Sequence, residues 1–280
     1  MRIYNKINTQ GFTLVELSIV IIIIGLLISG VAAGTSLIKQ ASLNSVISDF
    51  NNYATAYNNF LNRYNEVPGD MSNAYAYWGA KCGTNTTSTP GSCNGNGDGA
   101  IGTWSGAGGA PGESLAAWKH LSLAEMISGL PGAVNPNDPT TTTSIIGVDI
   151  PGSKINSNVG YLFTLGDTSV NGLSETTDTF WDNGTTNVIL IGAKQPTLVY
   201  YLPDYGGLSP IDSYNIDQKI DDGHIDSAGL FQGAASGSFR VFEGFSTIAN
   251  SCLLYTAATG PFSYNPSGQA ASCVGAMSIN

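Results

Sequence analysis

The chain is 280 residues long, carries a formal net charge of -10, and has only 11% charged residues beside 35 glycines. An acidic balance without a run of Lys or Arg excludes general binding to a phosphate backbone, which needs clustered cations. Few charges and many glycines fit an exported protein whose head is rich in strands, turns and loops.

The chain opens with a short polar stretch, Met1–Gly11, holding Arg2 and Lys6. An uncharged run follows from Leu17 to Ile38, long enough to span a bilayer as a helix. One carboxylate, Glu16, stands at its start. An acid at the centre of a membrane helix costs roughly 2.5–3.5 kcal/mol on insertion scales, so its presence there marks a functional group. A secretory signal places its apolar region before the cleavage site and loses it. Here the plausible cut, between Gly11 and Phe12, lies before the apolar run and leaves it on the mature chain.

The block Gly11-Phe12-Thr13-Leu14-Val15-Glu16-Leu17 resembles the processing site of type IV prepilins and type II secretion pseudopilins. The resemblance implies that a prepilin peptidase/N-methyltransferase cuts after Gly11 and methylates Phe12. It also implies that Glu16, fifth in the mature chain, is the acid needed for assembly. Looser blocks extend into the head: Y-N-x-x-P-G-D from Tyr64, W-G at Trp78, N-G-N-G-D-G-x-I from Asn94, H-L-S-L-A from His120 and I-D-x-K-I-D-D-G from Ile216. These are similar to blocks of large pilin-like proteins. The implied fold is α+β, a long N-terminal helix on an antiparallel-sheet head. Arg2 and Lys6 hold the leader in the cytoplasm by the positive-inside bias, so the remainder is exported from a single inner-membrane pass.

Apolar residues continue at Leu43, Val46, Ile47, Phe50, Tyr53, Ala54, Tyr57, Phe60, Leu61 and Tyr64, in steps of three and four that describe one helical stripe. The stripe stops before Pro68-Gly69-Asp70. A single helix over 12–65 would be roughly 80 Å long. The expected organisation is therefore a leader over 1–11, a helix over 12–65 with about 12–38 in the membrane or filament core, and a head over 66–280. Two separate helices remain an alternative, because Gly25, Gly30 and Gly34 weaken a helix interior.

Within the head, 79–112 reads as a long stapled loop and Glu113–Ser128 as a helix stopped by Gly129. Residues 131–144, rich in Pro and Thr, read as a surface loop. Strands are predicted at Val159–Leu165, Val188–Ala193 and Thr197–Leu202, the last two as a hairpin. Ser209-Pro210 supplies an N-cap and first-turn proline for a helix to about Asp222. Further strands are expected at Phe239–Phe242 and Leu253–Tyr255. Cys82, Cys93, Cys252 and Cys273 are even in number and lack metal-ligand spacing, so they read as exported disulfides. Four cysteines permit three pairings. The local one, Cys82–Cys93 with Cys252–Cys273, is expected.

Two stretches suggest calcium. Asp217, Asp221, Asp222 and Asp226 crowd a helix end whose dipole disfavours anions, with Lys219 nearby. More weakly, Asn94, Asn96 and Asp98 have the alternating spacing of an EF-type loop with Gly99 at the turn. That loop has Ser105 where a bidentate Glu belongs, so Glu113 or another acid must complete it. Catalytic constellations are lacking: two histidines stand without a nucleophile elbow, a zinc-binding H-E-x-x-H or a phosphate loop. The expected function is a structural subunit, not an enzyme, polymerised with other pilin or pseudopilin subunits by an inner-membrane assembly platform, in a type IV pilus or a type II secretion pseudopilus. The alternative is a minor, tip-proximal pilin whose loops 79–112 and 131–144 recognise a surface, a secreted substrate or DNA.

Overall fold

Helix α1 runs from Leu14 to Tyr64 without a break, across Gly25, Gly30 and Gly34. This computed structural model describes residues 11–82, 84–87, 92–102, 112–128, 145–166, 186–194, 205–221, 238–243, 252–254, 263–268 and 273–279. The chain divides into two compact units, residues 1–42 and 43–280. Within the first, residues 11–41 are exposed apart from a half-buried Gly34. Within the second, Leu43, Val46, Phe50, Tyr57 and Phe60 of the same helix are buried along one stripe. The helix stops at Asn65, which takes a left-handed φ of 54° and donates its N–H to the Leu61 carbonyl at 2.8 Å.

After this turn come α2 (Ala74–Trp78), a 3-10 turn (Gly79–Lys81), and the short parallel pair β1 (Thr84–Thr87) and β2 (Ser92–Asn94). The region read as one loop thus holds small elements, joined by a Cys82–Cys93 disulfide. Helix α3 covers Gly112–Leu123 and ends before the predicted Ser128. Glu125 adopts a φ of 59° and the Met126 N–H reaches back to the Leu121 carbonyl at 3.0 Å. This six-to-one bond closes the helix in the Schellman manner. Met126 and Ile127 still pack against the core beyond the helix end.

Strands β3 (Val159–Leu165), β4 (Asn187–Ala193), β5 (Phe239–Glu243) and β8 (Cys273–Ser278) form one antiparallel sheet in the order β3-β4-β8-β5. Helix α4 (Pro210–Ile220) starts where Ser209 accepts the Asp212 N–H, and β6 (Leu253–Leu254) pairs with β7 (Ser263–Tyr264). The predicted strand Thr197–Leu202 lies outside the described residues, and β4 already has β3 and β8 on its two sides. A second disulfide joins Cys252 to Cys273.

The core forms where α1 and α3 meet the sheet. Phe50 sits edge-on to Tyr161 and Phe239 at 5.6 and 5.7 Å between ring centres. Tyr53 meets Trp118 at 4.9 Å, and Trp118 meets Phe163 at 4.3 Å. Tyr161 and Phe163 are two apart on β3, so the pleat aims both at these helices. Gly275 on β8 is required here: a Cβ would lie 2.7 Å from the Phe239 ring and 3.1 Å from Ile191. Its missing side chain lets Phe239 lean across to Phe50.

Candidate functional site

The N-terminal turn of α1 is built by three residues. Thr13 is the N-cap and Glu16 the third helical residue. The Thr13 N–H and hydroxyl both donate to Glu16 Oε2 at 2.8 Å, and the Glu16 N–H donates to Thr13 Oγ1 at 3.2 Å. This is a reciprocal capping box, which satisfies amides that a helix end leaves orphaned. Its signature, Thr-x-x-Glu, stands in the sequence at Thr13–Glu16, a local pattern that the sequence analysis above did not use. Gly11 and Phe12 precede the helix, and Phe12 is 90% exposed. The Gly11–Phe12 bond is thus non-helical and accessible.

Beyond the box, from Leu17 to Ile38, α1 carries no charge and exposes apolar side chains on every side. Leu17, Ile21, Ile24, Leu27 and Val31 are all about half exposed or more, and no described residue covers them. An 18-residue window of this helix has a mean hydropathy of 2.7 with none of it buried, so by length and composition it can cross a membrane. Apart from the helix's own neighbouring backbone, no described heavy atom lies within 4 Å of where a Cβ would stand on Gly25, Gly30 or Gly34.

In the head, a second acidic arrangement surrounds Asn94–Gly102. The turn first satisfies itself: Asn96 Oδ1 accepts the Asp98 N–H at 2.9 Å, Asp98 Oδ1 accepts the Ala100 N–H at 2.9 Å, and Asn96 Nδ2 donates to Asp98 Oδ2 at 2.8 Å. Asn94 Oδ1 accepts the Tyr75 N–H at 2.8 Å. Two carboxylates from outside then clamp it. Asp70 accepts from the Gly97 and Gly99 N–H groups at 2.6 and 2.7 Å, and Glu113 accepts from Asn96 and Gly102 at 3.1 and 2.7 Å. Burial pushes Glu113 up to about 7 against these bonds, and the neighbouring charges of Asp70 and Asp98 add to the rise. Burial also raises Asp70. Glu113 was named in the sequence as a completing acid; Asp70 was not, since nothing local ties it to a turn 27 residues away.

Asp217 is buried inside the helix and Asp221 is exposed at its C-cap, while Asp222 and Asp226 lie outside the described residues. Asp212 is also buried, with its Oδ2 accepting the Ser209 hydroxyl at 2.7 Å. Loop 131–144 is outside the described residues as well.

Among the described residues, Cys82, Cys93 and His120 bring three metal-type donor atoms within 4.8 Å of one another. Chemistry removes them from metal binding. The sulfurs are spent in the disulfide. The His120 ring accepts the Gly69 N–H at Nδ1 and contacts the Cys93 carbonyl through Nε2, both at 2.9 Å. The amide can only donate and the carbonyl only accept, so the ring is neutral with its proton on Nε2. Full burial lowers its pKa to about 4.

Residues 6–32 match the family described as the prokaryotic N-terminal methylation motif. This match spans the capping box, the accessible Gly11–Phe12 bond and most of the apolar helix. No curated protein and no solved structure matches the chain significantly.

Proposed function

We propose that this chain, which begins with a prepilin-type segment, is a pilin-like structural subunit. It is cleaved after Gly11, N-methylated at Phe12 and polymerised into a type IV pilus or type II secretion pseudopilus. The carrying observation is a lone acid at the start of an uncharged stretch of α1, Leu17–Ile38, whose whole circumference is exposed. Such a surface needs lipid first and other apolar helices afterwards.

Cleavage turns the Phe12 amide into an ammonium at the edge of that apolar helix. The carboxylate of a neighbouring subunit's copy of Glu16 neutralises it. Burying either charge alone is costly, so the pair favours one axial register between subunits. Both Thr13 bonds fall on Oε2, which keeps Oε1 for an outside donor. Two experiments test this. Mass spectrometry of membrane-extracted protein should find a methylated Phe12 terminus, and an intact Met1 in cells with active peptidase would refute it. Glu16→Ala should leave cleavage and membrane insertion intact while filament yield falls; wild-type yield would remove the role of the acid. Abundance in purified filaments separates a repeating subunit from a minor, tip-proximal one.

A second reading concerns calcium. Three carboxylates, Asp70, Asp98 and Glu113, converge on the Asn94–Gly102 turn, and their mutual repulsion is what a divalent cation would relieve. The other predicted site, near α4, includes Asp222 and Asp226, which lie outside the described residues. Calcium should raise the melting midpoint of the head and chelator should reverse it, with Glu113→Gln abolishing the difference. An unchanged midpoint in the unmutated protein removes the metal.

A further inference from the structure

Two Asn-Gly pairs follow one another in the turn after the first disulfide, Asn94-Gly95 and Asn96-Gly97. This dipeptide has a chemistry of its own. The amide nitrogen of the glycine can attack the side-chain carbonyl carbon of the asparagine, and glycine has no side chain to obstruct the approach. The reaction is slow in water, because a backbone amide is a poor nucleophile and an amide nitrogen leaves reluctantly. A fold speeds it where it sets a base at the glycine N–H and a donor at the asparagine carbonyl.

The two pairs meet different surroundings. The Gly97 N–H donates to Asp70 Oδ1 at 2.6 Å and, more weakly, to the Asp70 carbonyl at 3.1 Å. Asp98 grips both ends of the Asn96 side-chain amide: its N–H donates to Oδ1 at 2.9 Å, and its Oδ2 accepts from Nδ2 at 2.8 Å. A backbone N–H only donates and a carboxylate only accepts, so the orientation of that amide is fixed. The Asp98 N–H therefore stands where negative charge develops on attack. Asn96, Gly97 and Asp98 are exposed, so water reaches whatever forms there. At the first pair the Gly95 N–H donates instead to the Met71 carbonyl at 3.0 Å, which is no base, and Gly95 is buried. Asn94 Oδ1 also has a donor, the Tyr75 N–H, so the two pairs differ chiefly in the base.

We propose that Asn96-Gly97 is a self-modifying site at which Asp70 acts as the base. Asp70 takes the proton of Gly97 as that nitrogen bonds to Cγ of Asn96, and the Asp98 N–H holds the oxyanion. The bond from Cγ to Nδ2 then breaks, the proton passes to Nδ2, and ammonia leaves behind a cyclic succinimide. Water opens the ring to aspartate or, at the other carbonyl, to isoaspartate with an extra methylene in the backbone. No oxidant or cofactor takes part. Either product replaces a neutral amide by a carboxylate, so the turn gains a negative charge beside Asp98. The site shares its turn with the calcium reading without depending on it, and the test therefore includes chelator.

The test incubates the full chain in detergent with chelator, folded or in denaturant, and follows both asparagines by peptide mass spectrometry. In the folded protein Asn96 should convert faster than Asn94 by on the order of a hundredfold, the lower end of what a positioned base contributes. In denaturant the two should convert at similar rates, with Asn96 slower than in the fold. Asp70→Asn removes the base at nearly constant shape and should bring Asn96 down to the rate of Asn94. Equal rates in the folded wild type, or an Asn96 that denaturant speeds up, overturns the proposal. So does a folded Asp70→Asn chain in which Asn96 still leads. Should that variant not fold, the comparison of folded with denatured wild type decides by itself.

Discussion

Helix α1 contains two regions that share a backbone and little else. From Leu14 to about Ser42 its apolar side chains are exposed on all sides, and one carboxylate is turned back onto its own first turn. From Leu43 to Tyr64 it has a polar side and a buried stripe that meets Tyr161, Phe163 and Phe239. The second region obtains its stability within the chain. Among the described residues the first meets no packing partner, so its apolar surface is a specification for surroundings, lipid or other helices. Hydrogen bonding makes both segments helical; the width of the apolar face decides where each belongs.

The largest effect should fall on the buried side of this contrast. Trp118→Ala removes a ring wedged between Tyr53 and Phe163 and should cost about 3–5 kcal/mol in denaturant unfolding of the head. Ile22→Ala, a change in the exposed region, should shift the same transition by less than about 0.5 kcal/mol. A comparable loss from Ile22→Ala would break the distinction. Next comes Gly275→Val, whose side chain would collide with the Phe239 ring; overpacking of this kind costs about 1–3 kcal/mol in the same measurement. Thr13→Val should cost about 1 kcal/mol of first-turn stability, seen as faster hydrogen exchange at Glu16 and Leu17, with the melting of the head unmoved.

A pH test sharpens the contrast between two glutamates. Glu16 lies on the exposed helix; Glu113 lies in the head, with its pKa raised from 4.5 to about 7. A raised folded-state value means that folding favours the protonated form. The contribution is complete below about pH 4.5 and is lost as pH climbs through about 7. The melting midpoint of metal-free head should therefore decline between pH 5 and 8, and Glu113→Gln should flatten that decline. A midpoint that rises over this window in the unmutated protein, and still rises in Glu113→Gln, would show that other groups govern it.

Much of the architecture was legible because it rests on local signals. The three- and four-residue steps through Phe50, Tyr57 and Phe60 declared the inward face of α1, and Ser209-Pro210 declared the start of α4. β3 and β4 are buried on both faces, and such strands read as continuous apolar runs. β8 escaped notice because Cys-Val-Gly-Ala-Met-Ser contains a glycine, an alanine and only one β-branched residue, a composition that looks like loop. Its strand character comes from the pairing surfaces of β4 and β5. The end of α3 depended on a left-handed Glu125, a residue type that gives no warning of it. At the candidate site, Gly11, Phe12 and Glu16 were legible as a motif. The clamp on Asn94–Gly102 was not, because it joins Asp70, Glu113 and the turn across the tertiary fold.

His120 occupies a position with a narrow vocabulary. One edge nitrogen of its ring, Nδ1, must receive a hydrogen from Gly69 and the other, Nε2, must offer one to Cys93, across the width of an imidazole. Lysine and arginine can only offer, carboxylates can only receive, and phenylalanine does neither. Asparagine can do both but is shorter, and glutamine has the reach but not the rigid plane that lies parallel to Phe60. A single ring thereby reads three distant stretches of chain at once: the turn at Pro68-Gly69, the disulfide loop and helix α3. Spelling errors in any of the three would be registered at the same two nitrogens, which makes the buried proton on Nε2 a reporter for the correct assembly of these three stretches.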